Sequence, residues 1–486
     1  RRRRDQIKKM VAQDDTRLAL AVATGALAGA MVTMWLLSPR ARRFRLRRIR
    51  AEGVHAVVVV DPIGSAKGLV AQLREAGIKV IRVLSGELSP EAEAAAGVPR
   101  HATVSARQVD YTVQHNGSVI DTADALREIP FTIRAVLPGA YTGIAIAEGI
   151  AAELKVPGNR PAQDRRFHSA MLDHLRCYGL RVPRLCRCES WEEVCAFVRS
   201  MRMTRFRLVL KPDTKAQELD APGVALCTSM EVAADVFTAI AEDDPNFSLC
   251  VQEYLPGADF FVDMVSENGE HKCTAVWVQS SVPADEDEAV LVPALELLQT
   301  PGGVAEEKLY KTARAALSAL GVTYGPSQVQ LRGTTETDDY VSAAETAAVL
   351  DVTCCFHGGG ENLCRIADLG VGYDQVGVCV RMIKGHIEQL SPAPLSLLPD
   401  RPSDLRHHAA EVRLPRPTSP ALDESLLGSH LRALPSFISL EQDERDFGEL
   451  HQSITTDFLY CGRVYLCHEN AAQVSEDMKR IASIVE

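Results

Sequence analysis

With 486 residues, 46% of them apolar, the chain is long enough for two to four domains with sizeable cores. Its net charge of −11 hides an asymmetry: residues 1–50 carry 14 Lys/Arg against 3 Asp/Glu, and the remainder 39 against 61. So acidic a body argues against nucleic acid as the main partner, and thirteen scattered cysteines, an odd number, argue against a disulfide framework and for a reducing compartment.

The first predicted element is residues 18–37, "LALAVATGALAGAMVTMWLL", twenty uncharged residues and so the length of one bilayer span. Arg17 precedes it, and Arg40, Arg42, Arg43, Arg45, Arg47, Arg48 and Arg50 follow it. The heavier cluster places the large C-terminal body on the positive-inside face, with Trp35 at an interface. Gly25 and Gly29 form a GxxxG pair of the kind that packs membrane helices. The chain opens on four arginines without an initiator Met and reads as the middle of a longer precursor.

Residues 55–60, "HAVVVV", are a continuous β-branched run ended by Asp61-Pro62. Helical spacing over 66–76 and a strand over 79–83 complete a strand–helix–strand unit, which predicts a parallel sheet. Its turn lacks GxGxxG, so the dinucleotide fingerprint is absent. A strand at 133–137 runs into a helix at 142–154, and another helix starts after Ala162. Strands follow at 206–210, 249–254, 260–265 and 273–279. A helix at 306–320, a strand at 328–332 and one reaching Asp351 come next. The proline-rich stretch 390–420 reads as loop or linker, and a strand at 463–467 and a helix at 471–485 close the chain. Cys186 and Cys188, with Cys195, lack a second metal-ligand pair and read as ordinary thiols.

The order of motifs then carries a resemblance. A strand ends in "LVLKP"; "VQEYLPGADFFVD" follows some forty residues later, then "GVTYGPSQVQL", then "DVTCCFHGGGENLCRIADLGVGYDQV". This order resembles the ATP-grasp superfamily, in its carboxylate-amine ligase branch, over roughly residues 52–486. "VPGNRPAQDRRFHSAM" is similar to that branch's linker. The resemblance implies an α/β ATP-grasp fold, and the one transmembrane helix expected from residues 18–37 precedes it and lies outside the resemblance. Together these divide the chain into a basic arm with its span (1–50), an N-terminal α/β domain (51–158), the ATP-grasp domain (159–388) and a C-terminal α+β subdomain (389–486).

By the same resemblance the cofactors are ATP and Mg²⁺ if the pocket is still functional, and none otherwise. Lys211 takes the place of the phosphate-binding lysine. Gln252, Glu253 and Leu255 match the segment that contacts adenine and ribose. Gly223 is what remains of the glycine-rich flap, and His168 stands where a basic residue of the linker helix meets the nucleotide. Gln330 and Asp351 occupy the two metal-ligand positions. Asp259 and Asp263 are read as structural.

The departures fall in the phosphate and metal half. Gln217, Glu218, Leu219 and Asp220 bring side chains and negative charge into the flap, where close backbone approach favours glycine. Gln330 replaces one glutamate, Asp351 shortens the other, and Cys355 falls where the family has arginine, with Arg365 as the candidate to replace it. Cys354 and Cys355 are adjacent, which disfavours a redox pair. His357 matches a histidine of related ligases and is read as structural, and Gly358, Gly359 and Gly360 as a tight turn.

These changes give the main expectation: a catalytically degenerate ATP-grasp protein serving as an accessory subunit of an organellar membrane complex. The expected location is the mitochondrial inner membrane with the body on the matrix side, or alternatively the thylakoid membrane, stromal side. Its partners would be the other subunits and the bilayer. The alternative is an active ATP-dependent carboxylate-amine ligase working through an acyl phosphate. A second alternative is a nucleotide-sensing membrane protein.

Overall fold

The computed structural model describes residues 53–85, 104–203, 205–213, 224–243, 247–283, 291–334, 339–358, 360–415, 424–442 and 460–485. The expected membrane span at 18–37 and the flap, with Gln217, Glu218, Leu219, Asp220 and Gly223, lie outside the described residues. Among the described residues, no helix is long and apolar enough to cross a membrane.

The N-terminal unit contains β1 (His55–Val60), α1 (Ser65–Glu75), β2 (Lys79–Leu84), β3 (Tyr111–Gln114), α2 (Val119–Arg127), β4 (Thr132–Pro138) and α3 (Ile144–Leu154). Its strands form a parallel sheet in the order β3-β2-β1-β4. The unbroken β-branched run of β1 is explained by burial on both faces. Val57 and Val59 pack under α1, and Ala56, Val58 and Val60 pack against Leu126 of α2 and Ile150 of α3.

A short 3-10 turn (Gln163–Arg165) leads to α4 (His168–Cys177). The small lobe follows: β5 (Leu185–Cys188), α5 (Trp191–Met201), β6 (Leu208–Pro212), β7 (Ala225–Cys227), α6 (Met230–Asp243) and β8 (Leu249–Glu253). Its antiparallel sheet runs β5-β8-β6-β7. Helix α5 starts on a capping box, in which Ser190 and Glu193 satisfy each other's backbone N–H groups. Both helices pack on one face of this sheet, over Leu208, Leu210, Leu249 and Val251.

The rest of the chain builds one eight-stranded sheet. Its elements are β9 (Asp259–Glu267), β10 (Glu270–Pro283), β11 (Leu291–Leu297), α7 (Val304–Ala319), β12 (Tyr324–Arg332), α8 (Tyr340–Glu345), β13 (Ala348–Thr353), α9 (Gly360–Val371), α10 (Gln375–Glu388), β14 (His408–Pro415), α11 (Glu424–Arg432), β15 (Phe437–Gln442), β16 (Tyr460–His468) and α12 (Ala471–Val485). The order is β13-β12-β9-β10-β11-β14-β16-β15. Helix α7 covers one face over Phe260, Val262, Val276, Val329 and Leu331. Helix α10 lies between this sheet and the N-terminal unit, so that Val376, Val380 and Ile383 share a core with Val57, Leu69 and Val265.

One expectation is corrected here. The proline-rich stretch 390–420 is not all linker: β14 lies inside the large sheet, between β11 and β16. Ala410, Val412 and Leu414 alternate into the core under α12, a period-2 pattern that the surrounding prolines obscure. The predicted C-terminal subdomain therefore continues the large sheet rather than forming one of its own.

Candidate active site

The register of the small sheet decides what faces away from its helices. Arg187, Cys250 and Lys211 form one cross-strand row, and Leu185, Gln252 and Val209 form the next. Both rows lie on the face opposite Leu208, Leu210 and Val251, because side chains alternate along a strand. Leu185 touches the core of the large sheet, so this face looks into the cleft between the two sheets. Lys211 is only 6% exposed, and its ammonium has no hydrogen bond or ion pair among the described residues. The Oε1 of Gln252 is likewise buried without a partner. Burial pushes the Cys250 thiol up to about 12, with Lys211 pulling the other way.

Just beyond Lys211, Asp213 is 1% exposed. Its carboxylate accepts the backbone N–H of Ser169 at 2.7 Å and the Ser169 hydroxyl, and Arg187 Nε stands 3.6 Å away. Asp213 thus ties the end of β6 to the first turn of α4, where negative charge is favoured. Arg187 lies over the Phe167 ring, 5.5 Å from its centroid. Sequence reasoning passed over Asp213 and Arg187; their alternation with Lys211 and Leu185 was the available signal.

Glu253 is placed otherwise than as a free nucleotide contact. Its two carboxylate oxygens accept the backbone N–H of Arg184 at 2.7 Å and Arg184 Nε at 2.8 Å. The Leu255 carbonyl accepts from Arg332 Nη1 at 3.2 Å, and Arg332 also pairs with Asp259. Tyr254 lies between the guanidinium groups of Arg207 and Arg332, at 5.1 and 5.5 Å.

In the large sheet, Asp351 pairs across β13 and β12 with Gln330, and Thr353 with Gln328. The two positions expected to hold a metal are therefore neighbours on one face. The Thr353 hydroxyl donates to Asp351 Oδ2 at 3.1 Å, and Asp351 Oδ1 is 3.5 Å from His168 Nδ1. The structure thus brings together His168 and Asp351, which the sequence had assigned to nucleotide and metal. Since Ser169 follows His168, the bond to Asp213 joins the lysine side to the metal corner through α4.

One carboxylate and one amide fit Mg²⁺ when the ion is shared with substrate phosphates, as this hard cation requires few protein ligands. Among the described residues, no group of three His, Cys, Asp or Glu side chains stands ready for a metal without such help. Cys355 is buried, with its thiol 3.5 Å from the Phe356 carbonyl. Arg365 is exposed on α9 and has no ion pair among the described residues. All described cysteines are free.

The two residues read as structural in the sheet and the glycine turn meet. Asp263 Oδ1 is 2.9 Å from His357 Nδ1, and Asp263 Oδ2 accepts Trp277 Nε1–H at 2.7 Å. The His357 backbone is fixed at both ends: its N–H donates to Gln375 Oε1 at 3.1 Å, and its carbonyl accepts the Ser65 hydroxyl at 2.7 Å. Ser65 also reaches the Gly360 carbonyl at 2.8 Å.

A small antiparallel lobe facing a large sheet across a cleft, behind a parallel α/β domain, is the ATP-grasp fold. L-amino acid ligase from Bacillus licheniformis has a similar structure, with TM-score 0.62 and 14% identity over 89% of this chain and 97% of that one. An N5-carboxyaminoimidazole synthase from Aspergillus clavatus, in complex with ADP and 5-aminoimidazole ribonucleotide, gives TM-score 0.59 and 15% identity over 89% and 99%. In sequence, the chain is 24% identical to dapdiamide A synthase of Enterobacter agglomerans over 229 residues, 46% of this chain. The match spans about half, 51%, of that relative's length. No family model matches the chain.

Proposed function

We propose that the chain is an ATP-dependent ligase that joins a carboxylate to an amine. The observation that carries this reading is Lys211, a residue only 6% exposed whose ammonium has no partner among the described residues, on the cleft face of an ATP-grasp small lobe. Desolvated cations are costly unless paired, so the site calls for an anion. ATP supplies that anion and the phosphoryl group that activates the carboxylate. Lys211 would hold a phosphate, the Gln252 Oε1 would accept from the base's amino group, and Asp351 with Gln330 would hold Mg²⁺. The similarity to named ligases supports the same reading.

A second reading, binding without turnover, is favoured by Gln330 and Cys355, which remove a metal carboxylate and a transition-state cation. That reading goes with service as an accessory subunit anchored in an organellar membrane through residues 18–37, which rests on sequence alone. Calorimetric titration of the whole chain with ATP, with and without Mg²⁺, tests the pocket. Mg²⁺-dependent binding, weakened at least tenfold in Lys211→Met, is expected; no binding at millimolar ATP overturns both readings. Release of ADP with carboxylate and amine together then supports the ligase, whereas binding without ADP release leaves the second reading.

A further inference from the structure

We propose that His357, oriented by Asp263, is the base that takes the proton from the attacking amine; this rests on the ligase reading above. Four observations carry it. The first is the pair itself: Asp263 Oδ1 holds His357 Nδ1 at 2.9 Å, an arrangement that fixes the ring and leaves Nε2 as the acceptor. Asp263, 4% exposed, is itself held by the Trp277 indole N–H. The second is that Nε2 has no partner among the described residues, while the His357 side chain keeps 11% of its surface.

The third is position. Asp263 pairs with Gln328, and Gln328 with Thr353, while Phe261 pairs with Gln330, and Gln330 with Asp351. The imidazole lies 5.8 Å from the Phe261 ring and 6.4 Å from that of Trp277, on this same face. Strands are spaced by about 5 Å, so the dyad stands roughly 10 Å from the Asp351 corner, one small substrate away. The fourth is rigidity: Gln375 and Ser65 clamp the His357 backbone, and Gln375 is itself anchored to the Met264 and Ser327 carbonyls. A loop held so firmly positions a reacting group rather than merely filling space.

The step is balanced without further reagents. The amine nitrogen bonds to the activated carbonyl carbon, and the bond from that carbon to the phosphate oxygen breaks with its electron pair leaving on phosphate. The proton lost by nitrogen passes to His357 Nε2 and from there to the departing phosphate or to water. Asp263 is a positioning residue; its carboxylate keeps the proton on Nδ1 and stabilises the imidazolium.

Hydroxylamine, largely unprotonated at neutral pH, intercepts an activated carboxylate without a base. With the whole chain, MgATP and a carboxylate panel, His357→Gln should keep hydroxamate formation and lose amide formation at least about 100-fold. Asp263→Asn should show the same split more weakly. Equal loss of both products in His357→Gln, or loss of neither, overturns the role of His357 while leaving the ligase reading intact. A parent chain that forms neither hydroxamate nor ADP overturns both. Independently of turnover, diethylpyrocarbonate should carbethoxylate His357 in the unmodified folded chain. Its absence from the modified peptides would show that Nε2 is closed and would sink the proposal, even if the variants do not fold.

Discussion

Arg165 donates to Glu148 Oε1 at 2.9 Å, to the Leu320 carbonyl at 2.6 Å and to the Arg160 carbonyl, with both charges almost fully buried. Burial raises the Glu148 carboxyl above its usual range even though Arg165 opposes the shift. The pair ties α3 to the linker and to the end of α7, so Arg165→Met should leave an uncompensated buried carboxylate. A loss of about 3–5 kcal/mol in denaturant unfolding is expected. His271 makes a second residue-scale prediction. It is buried under α7, between the Ser266 and Ser318 hydroxyls at 2.8 and 3.2 Å. Burial, with Arg314 adding to it, pushes its pKa down to about 4. Above pH 6.5 the group is neutral in both folded and unfolded chains and contributes nothing. As pH falls from 6.5 towards 4, only the unfolded chain takes up the proton, so stability declines by about 3 kcal/mol. Urea titrations at pH 7 and pH 4.5 should show a smaller difference in His271→Gln than in the parent.

At the scale of elements, the turn after β4 is the tightest test of the N-terminal unit. Gly139 donates its N–H to the Val60 carbonyl at 2.6 Å. A Cβ at this position would stand 2.5 Å from the Asp61 carbonyl oxygen and 2.7 Å from Pro62 Cα. Neither is a flexible side-chain end, so the backbone must move. Gly139→Ala should therefore cost about 1–3 kcal/mol, read as a lower thermal midpoint. Elements with a strong local pattern were legible in the sequence: β1, an unbroken β-branched run, and the C-terminal helix α12 stand where the residues predict them. Strand β14 was not, because Pro392, Pro394 and Pro402 precede it and Pro415 ends it, and the alternation of its eight residues is plain only once β11 and β16 flank them. The site was legible in the same uneven way. Lys211 is visible because a strand ends in Lys-Pro, and Gln330 and Asp351 because they follow ordered motifs. The meeting of Asp263 with His357, 94 residues apart, depends on register and on a loop conformation that no local pattern encodes. The engagement of Glu253 by Arg184 is hidden for the same reason.

For the whole molecule, the main consequence of topology is that residues 389–486 are not a detachable appendage. Strands β14, β16 and β15 extend the same sheet that carries Gln330 and Asp351. Trp277 and Leu297 share a core with Ala409, Tyr465 and α9. A chain ending at residue 389 should therefore expose the edge of β11 together with that apolar face, and exposed edges promote association. Such a truncated chain is expected to enter the insoluble fraction on expression more than the full chain does; a soluble, monomeric truncation would contradict the continuous sheet.

That same insertion has a meaning during synthesis. A ribosome delivers β9 to β13 long before β14, and β14 before β16, the strand that pairs along its other side. While residues 404–468 are still emerging, β11 has one bare edge and α9 covers an incomplete surface. The nascent protein passes through an interval in which its large sheet is five strands wide and adhesive. That exposed edge closes only when β14 docks, so the order of synthesis leaves the interval longest for the strand that completes the sheet.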